Sequence, residues 1–235
     1  ASDGTKNKDN IAGFVSNQSI DARHIQNCFM VGTVYGSEHY VTSGFVGTIA
    51  NNLSNFEVKN SYANVVLSTD GDASGFIMQL GVGNGSTISG CYALGVIENA
   101  KHASGLVASI NGGKVLNCYT AFWNIKAENW YPFYKVNSNA QTLQNNFYLS
   151  DYTSDIQNGD LVDYTENVKG ISYQQLCNQT IDGLQKSTQA NTKGYYRYMD
   201  QGQQIYPYPM PAGMTAYGDW SHVDPDNYTL LYYEK

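Results

Sequence analysis

Apolar positions in the first two thirds of the chain fall into short recurring words, not long periodic runs. A small residue, a glycine and two apolar residues recur as Ala12-Gly13-Phe14-Val15, Ser43-Gly44-Phe45-Val46, Ser74-Gly75-Phe76-Ile77 and Ser104-Gly105-Leu106-Val107. These glycines are 31, 31 and 30 residues apart, and a degenerate fifth copy stands at Tyr131-Pro132-Phe133-Tyr134. A second word follows each of the first: an apolar residue, any residue, Asn or Gly, a small residue, then an aromatic. Its copies are Ile25-Gln26-Asn27-Cys28-Phe29, Val58-Lys59-Asn60-Ser61-Tyr62, Ile88-Ser89-Gly90-Cys91-Tyr92 and Val115-Leu116-Asn117-Cys118-Tyr119. A fifth, Asn146-Phe147-Tyr148, keeps the end of the word but has Phe in place of the small residue.

The third position of the second word, Asn27, Asn60, Gly90, Asn117 and Asn146, holds the two residue types that enter the left-handed backbone region most readily. It therefore predicts a bend. Without one, Ile25 and Cys28, three residues apart, would point to opposite faces of a strand; a bend lets both face inward. The ring that follows then faces outward. Short strands, Asn/Gly bends and a period near 30 predict an all-β fold. We expect a short β-solenoid of about four to five coils over residues 1–149, with equivalent residues stacked in ladders one strand spacing apart. The 3.6-residue periodicity of helical repeats is missing from residues 11–149.

After Leu149 the words stop. Residues 150–211 are expected to form a small α+β cap over the C-terminal end of the solenoid, because an uncovered last coil leaves backbone and core open. Within it, Ser172 and Gln175 predict a capping box at the start of a helix over residues 172–186, with Leu176, Ile181 and Leu184 as its apolar stripe and Gly183 near its stop. "GYYRYMD" and "QQIYPYPMP" predict an extended pair, ended by Pro207, Pro209 and Pro211, with Tyr195, Tyr196, Tyr198, Tyr206 and Tyr208 packing it. Residues 212–235 are expected to be a tail or linker. The N-terminal side starts almost directly in a coil with no matching cap, which suggests that the chain was cut from a longer protein or contacts a neighbour there.

Composition narrows the function classes. Only 14% of the residues are charged and the net charge is −7, with polarity supplied by Asn, Ser, Gln, Thr and Tyr. A nucleic-acid groove needs clustered Lys and Arg, and the sequence has no such cluster. No stretch is long and apolar enough for a membrane helix. The balance suits a secreted or cell-surface protein, with a glycan or a host or extracellular protein as partner beside neighbouring domains of the same polypeptide.

The units "SGFVGT…VKNSYANVV" and "SGLVAS…VLNCYTAF" resemble the GLUG motif, of the general form G-[LF]-V-G-x-N…I-x-N-C-Y-A-x-G-x-V. The likeness covers residues 12–122 clearly and 131–149 weakly, with "TSGFVG" at 42–47 and "GCYALGV" at 90–96 the nearest copies. Ser61 for Cys, Gly90 for Asn and the lost G-x-V tail after Tyr119 depart from it. The resemblance implies a right-handed β-helix stalk of a large bacterial surface or secreted protein, a class that includes immunoglobulin A1-specific metallopeptidases and adhesin-like proteins. It carries over no catalytic residue.

Candidate chemistry is sparse. Cys28, Cys91 and Cys118 share a column with Ser61 and Phe147, which favours buried free thiols over ligands; a Cys91–Cys118 bond between adjacent coils stays open on distance alone. Paired Cys or His at zinc spacing and the His-Glu-X-X-His word do not occur, so no metal, cofactor or catalytic residue is assigned. His39 and His102 lie near the same corner of the coil. Asp70 and Asp72 in "TDGDASG" read as a turn. The best binding candidate is the outward ridge Phe29, Tyr62, Tyr92, Tyr119 and Tyr148, unless the C-terminal segment covers it. The expected function is a non-catalytic scaffold, stalk or adhesin-type module; the alternative is a carbohydrate-binding or polysaccharide-degrading β-helix. A groove lined with at least two carboxylates plus a Lys or Arg on one lateral face would favour the enzyme, and a smooth wall with no such cluster the scaffold.

Overall fold

The computed structural model describes residues 9–18, 24–49, 55–81, 85–137, 142–151, 153–156, 167–186 and 208–214. Coil one comprises β1 (Asp9–Ala12), β2 (Val15–Gln18), β3 (His24–Gln26) and β4 (Phe29–Tyr35). Coil two repeats the plan with β5 (Tyr40–Ser43), β6 (Val46–Ile49), β7 (Glu57–Lys59) and β8 (Tyr62–Ser68), and coil three with β9 (Asp72–Ser74), β10 (Ile77–Leu80) and β11 (Thr87–Ser89). The long strand β12 (Tyr92–Ser104) closes coil three and opens coil four, which continues through β13 (Val107–Ile110), β14 (Lys114–Leu116) and the equally long β15 (Tyr119–Tyr131). A last, shorter coil holds β16 (Tyr134–Asn137), β17 (Thr142–Gln144), β18 (Asn146–Leu149) and β19 (Thr153–Ile156).

Each strand pairs in parallel with its counterpart one coil away. Three parallel sheets result: β2-β6-β10-β13-β16, β3-β7-β11-β14-β17, and a wider one in which β1-β5-β9 and β4-β8 both join β12-β15. The fold is thus a β-solenoid of about four turns.

Inside the coils, like stacks on like. Phe14, Phe45 and Phe76 stack face to face, with centroids 4.9 and 4.7 Å apart, and Leu106 and Phe133 continue the buried column. Val58, Ile88 and Val115 form a second apolar ladder. The glycine before each Phe is required by close approach of backbones. A Cβ on Gly44 would lie 2.1 Å from the Gly75 carbonyl oxygen, one on Gly75 2.1 Å from that of Gly105, and one on Gly105 2.0 Å from that of Pro132.

The bend column is left-handed as its chemistry predicts, with φ of 55° at Asn27, 49° at Asn60, 59° at Gly90 and 57° at Asn117. The last coil differs by one residue: the left-handed position is Asn145 (φ 53°), and its side chain donates to Asn117 Oδ1 at 2.9 Å. Asn146 therefore stands in the small-residue column and Phe147 in the ring column, opposite Tyr119. Tyr148 pairs with Thr120 and packs against the inner core.

The strand β20 (Val168–Ile171) adds a further parallel rung onto β18. Ser172 caps the helix α1 (Tyr173–Cys177) with both bonds of a capping box to Gln175. The helix stops after five residues, far short of the expected 172–186. The cause lies in the spacing of Leu176 and Ile181. Five residues apart, they cannot share a helical face, yet both are buried in one cluster. The chain turns at Asn178 and at Gly183 (φ 81°). It continues as β21 (Leu184–Lys186), antiparallel to β22 (Pro209–Pro211). Pro209 and Pro211 thus sit within a strand instead of ending one, as an edge strand permits, and Pro207 lies outside the described residues. The "GYYRYMD" segment, Tyr195, Tyr196, Tyr198 and Tyr206, and nearly all of the tail lie outside the described residues.

The glycine column yields a stability prediction. Gly75→Ala drives a methyl into the Gly105 carbonyl and the Phe122 ring, and is expected to cost about 1–3 kcal/mol. Urea unfolding reads the shift in midpoint, with an unchanged slope showing that the folded and unfolded states keep their extents.

Candidate functional site

The small-residue column has a specific chemistry. After each left-handed residue, the side chain turns back to the carbonyl two residues earlier. Cys28, Cys91 and Cys118 Sγ donate to the carbonyls of Gln26, Ser89 and Leu116, each at 3.2 Å. Ser61 Oγ does the same to Lys59 at 2.8 Å. A short side chain ending in an S–H or O–H meets this need, which explains why Cys and Ser interchange. Asn146 satisfies the last rung differently, donating to Val115 O at 2.9 Å while its Oδ1 accepts from the Cys118 amide at 3.0 Å. All four cysteines are free thiols; Cys91 and Cys118 are buried, Cys28 and Cys177 half-buried. Burial, then the hydrogen bond and charge of Cys118, push the Cys91 thiol well above its ordinary value.

The rings Phe29, Tyr62, Tyr92 and Tyr119 leave the coil on the side away from this column and stack at 5.4, 5.0 and 4.8 Å. The three tyrosines belong to a second apolar cluster, with Leu94, Trp123 and Phe147 on the solenoid and Leu176, Ile181, Tyr208 and Met210 from the C-terminal segment. Tyr62 is 1% exposed and Tyr92 and Tyr119 are fully buried. Tyr119 Oη donates to the Pro209 carbonyl at 2.5 Å, and the Tyr208 ring lies 6.1 Å from it. The ridge read from the sequence is therefore not an open platform: its three central rings are the seat of the C-terminal segment, Tyr148 is not in it, and Phe29 alone of the five is exposed.

The polar candidates separate. Asp70 and Asp72 point into different depressions on the solenoid wall. Asp70 lines a shallow cleft of about 340 Å³ with Asn99, Lys101, Lys126 and Glu128, and all five side chains are exposed. Asp72 lines a groove of about 510 Å³ with Asn10, Thr48, Gln79, Ser109 and Lys135 over a floor of Met78 and Ala108. Lys135 Nζ lies 3.9 Å from Asp72 Oδ2, and Asn10 Nδ2 donates to Thr48 at 3.0 Å. His102 pairs in register with Asp72; its Nδ1 is buried with no hydrogen-bond partner, and burial followed by the Lys135 charge lowers its pKa. His39 is exposed beside Glu38 and His24 beside Glu57, so the three histidines among the described residues do not converge. Among the described residues no group of three or more His, Cys, Asp or Glu side chains is placed to hold a metal ion, and no helix is long and apolar enough to cross a membrane.

The grooves escaped sequence reasoning because each draws on several coils. The available signal was the column Thr48, Gln79, Ser109, polar positions two residues after each Val or Ile of the first word.

Three outcomes follow for the buried groups. Without reductant, Ellman's reagent is expected to count four thiols after unfolding and to leave Cys91 and Cys118 unreacted in the native protein; a count of two after unfolding would reveal a disulfide. Because the folded protein holds the Cys91 thiol above its unfolded value, the associated stability is complete below the ordinary thiol range near pH ~8.5. It is lost as pH rises through the folded value. Cys91→Ser, which keeps the bond to Ser89, should flatten that alkaline decline in urea titrations run pH by pH. Tyr92→Ala empties the middle of the ring stack and is expected to cost about 3–5 kcal/mol, read as a lowered urea midpoint.

Set against protein-family models, curated proteins and solved structures, the chain gives no match.

Proposed function

We propose that this chain is a non-catalytic scaffold: a rigid β-solenoid segment of a larger bacterial surface or secreted protein of the GLUG-repeat kind, acting outside the cell as a stalk or adhesin-type module. The observation that carries the reading is where the repeated residues are spent. The glycines, the inner rings, the thiol and hydroxyl column and the outer tyrosines all serve coil-to-coil stacking or the seat of the C-terminal segment. Each repeat therefore specifies shape. The low charged fraction and the resemblance of the two words to GLUG repeats support the extracellular placement.

The cleft of Asp70, Lys101, Lys126 and Glu128 meets the composition expected of a polysaccharide-cleaving groove, two carboxylates with lysines on one lateral wall, so its exposure decides the matter. A general acid needs a carboxyl sheltered from water or counter-charge, whereas here all four charged groups stand in solvent. The arrangement suits binding better than cleavage. A specific observation supports glycan binding as a second reading. The groove beside Asp72 presents one amide or hydroxyl per coil from Thr48, Gln79 and Ser109, a regular row of hydrogen-bonding groups for a linear polyhydroxylated chain.

A panel of acidic and neutral polysaccharides tests the proposal. No new reducing ends and no unsaturated products are expected. Release of either, abolished by Asp70→Asn or Glu128→Gln, would overturn the scaffold reading. On a glycan and matrix-protein array, binding weakened about tenfold or more by Gln79→Ala with Lys135→Ala, a loss of about 1.4 kcal/mol, supports the groove. Binding untouched by that pair removes it.

A further inference from the structure

The groove beside Asp72 runs along the solenoid axis, because every coil contributes to its lining, from Asn10 on β1 to Lys135 on β16. Thr48, Gln79 and Ser109 stand in register on neighbouring strands, so their polar groups follow one another at the parallel strand spacing, about 4.8 Å. Met78 and Ala108 lie beside them as an apolar strip, each 8% exposed. The polar groups differ in what they already hold. The Asn10 amide donates to Thr48 Oγ1 at 3.0 Å, and Lys135 reaches back past the coil of Ala108 to Asp72, 3.9 Å away. The half-buried side chains of Gln79 and Ser109, by contrast, form no hydrogen bond with another described residue. Two adjacent coils thus present an amide and a hydroxyl whose hydrogen-bonding capacity is unused within the chain.

From this arrangement we infer that the groove is a binding site for a neutral, linear glycan lying parallel to the solenoid axis, with about one sugar to each coil. The inference rests on the second reading above, in which the groove binds glycan, and adds the class of chain and its direction. Spacing selects a glycan over a peptide. A pyranose unit in an extended chain advances by close to one strand spacing, so successive sugars meet successive side chains in the same way. An extended peptide advances about 6.6–6.8 Å for each pair of residues and falls out of step with the coils. A peptide strand also needs an unpaired sheet edge, and the strands under the row are paired on both sides, β6 by β2 and β10, β10 by β6 and β13, and β13 by β10 and β16.

Charge selects a neutral chain. The carboxylate and the ammonium that line the groove face each other, so the site is neutral as a whole. An acidic sugar would have to take Lys135 from Asp72 and then remain beside that carboxylate, on a protein whose net charge is already −7. A neutral sugar meets no such opposition. Its hydroxyls reach Gln79, Ser109 and the outer lone pairs of Asp72, and the C–H face of its ring lies on Met78 and Ala108. A few placed polar groups over an apolar strip is the usual division of labour in a small-ligand site.

The test is titration of the full chain with oligomers of increasing length, from a single sugar upward, at low and high salt. The neutral series are β-1,4-linked glucose, β-1,3-linked glucose and β-1,4-linked N-acetylglucosamine; the acidic series is α-1,4-linked galacturonate. A library of unstructured synthetic peptides is run alongside. Affinity for a neutral series is expected to rise ~10-fold or more from the single sugar to the length that spans Thr48, Gln79 and Ser109, then to level off, and to be indifferent to salt. Gln79→Ala and Ser109→Ala should each weaken it about fivefold, with unchanged urea midpoints showing that both variants fold. Binding confined to galacturonate, falling with salt and lost in Lys135→Met, overturns the neutral class and leaves the groove standing as a glycan site. Affinity that does not grow with length overturns the axial arrangement. Peptides held in place of sugars, and released by the same two variants, overturn the glycan class. Neutral binding that neither variant weakens overturns the site, and binding of no series removes the glycan reading together with this inference.

Discussion

The strand spacing of a parallel sheet sets the terms for the rest of this molecule. Successive coils lie one hydrogen-bonding distance apart, about 4.8 Å, and every side chain at a given position must fit above its own counterpart at that distance. Planar rings meet the condition by stacking, as Phe45 on Phe76 and Tyr92 on Tyr119 do at 4.7 and 4.8 Å. At the corner where the backbones themselves come close, even a methyl group is too large, and the column is glycine. Where the chain bends sharply, a left-handed residue is followed by a thiol or hydroxyl that satisfies the carbonyl the bend leaves behind. The repeat is therefore a set of separate answers to one geometric demand, and this is why its words are so short and so widely spaced.

The C-terminal segment answers a different demand. The bend that brings both Ile88 and Cys91 into the core sends Tyr92 out of it, so the inner core is completed only by exposing a column of rings on the wall. Leu176, Ile181, Tyr208 and Met210 cover that column, and the bond from Tyr119 to the Pro209 carbonyl fixes the cover in place. The segment closes the end of the solenoid through β20 and seals its side through α1 and the β21–β22 ribbon. Its apolar residues are irregularly spaced because they match a wall of stacked rings and not a helical stripe.

These two demands also account for what could be read in advance. Ladder positions were legible, because each rung repeats the same chemistry: the Gly-Phe corner, the Asn bend and the inward Cys column all follow from residue type and period. The last rung was misread by one residue because Asn145 and Asn146 are both Asn. Only the hydrogen bonds from Asn146 to Val115 O and from the Cys118 amide identify it as the residue standing in for a thiol. The cover over Tyr92 and Tyr119 left no periodic trace, since its key contact joins residues 90 apart. The helix was overdrawn for the same reason. Ser172 and Gln175 announce its start locally, whereas its early end is dictated by the distant rings that Leu176 and Ile181 must both reach. The lateral grooves were hidden too, each being assembled from residues of several coils.

The seat of the C-terminal segment also has a consequence in time. The chain is made from its N-terminus, so Tyr62, Tyr92 and Tyr119 leave the ribosome well before Leu176, Ile181 and Met210. Coils that stack as they emerge carry a bare aromatic stripe on one wall until Leu176 through Met210 have been synthesised. For that interval the protein is a sticky rod with its adhesive side uncovered. The folded wall owes its quietness to a segment that emerges well after the rings it covers.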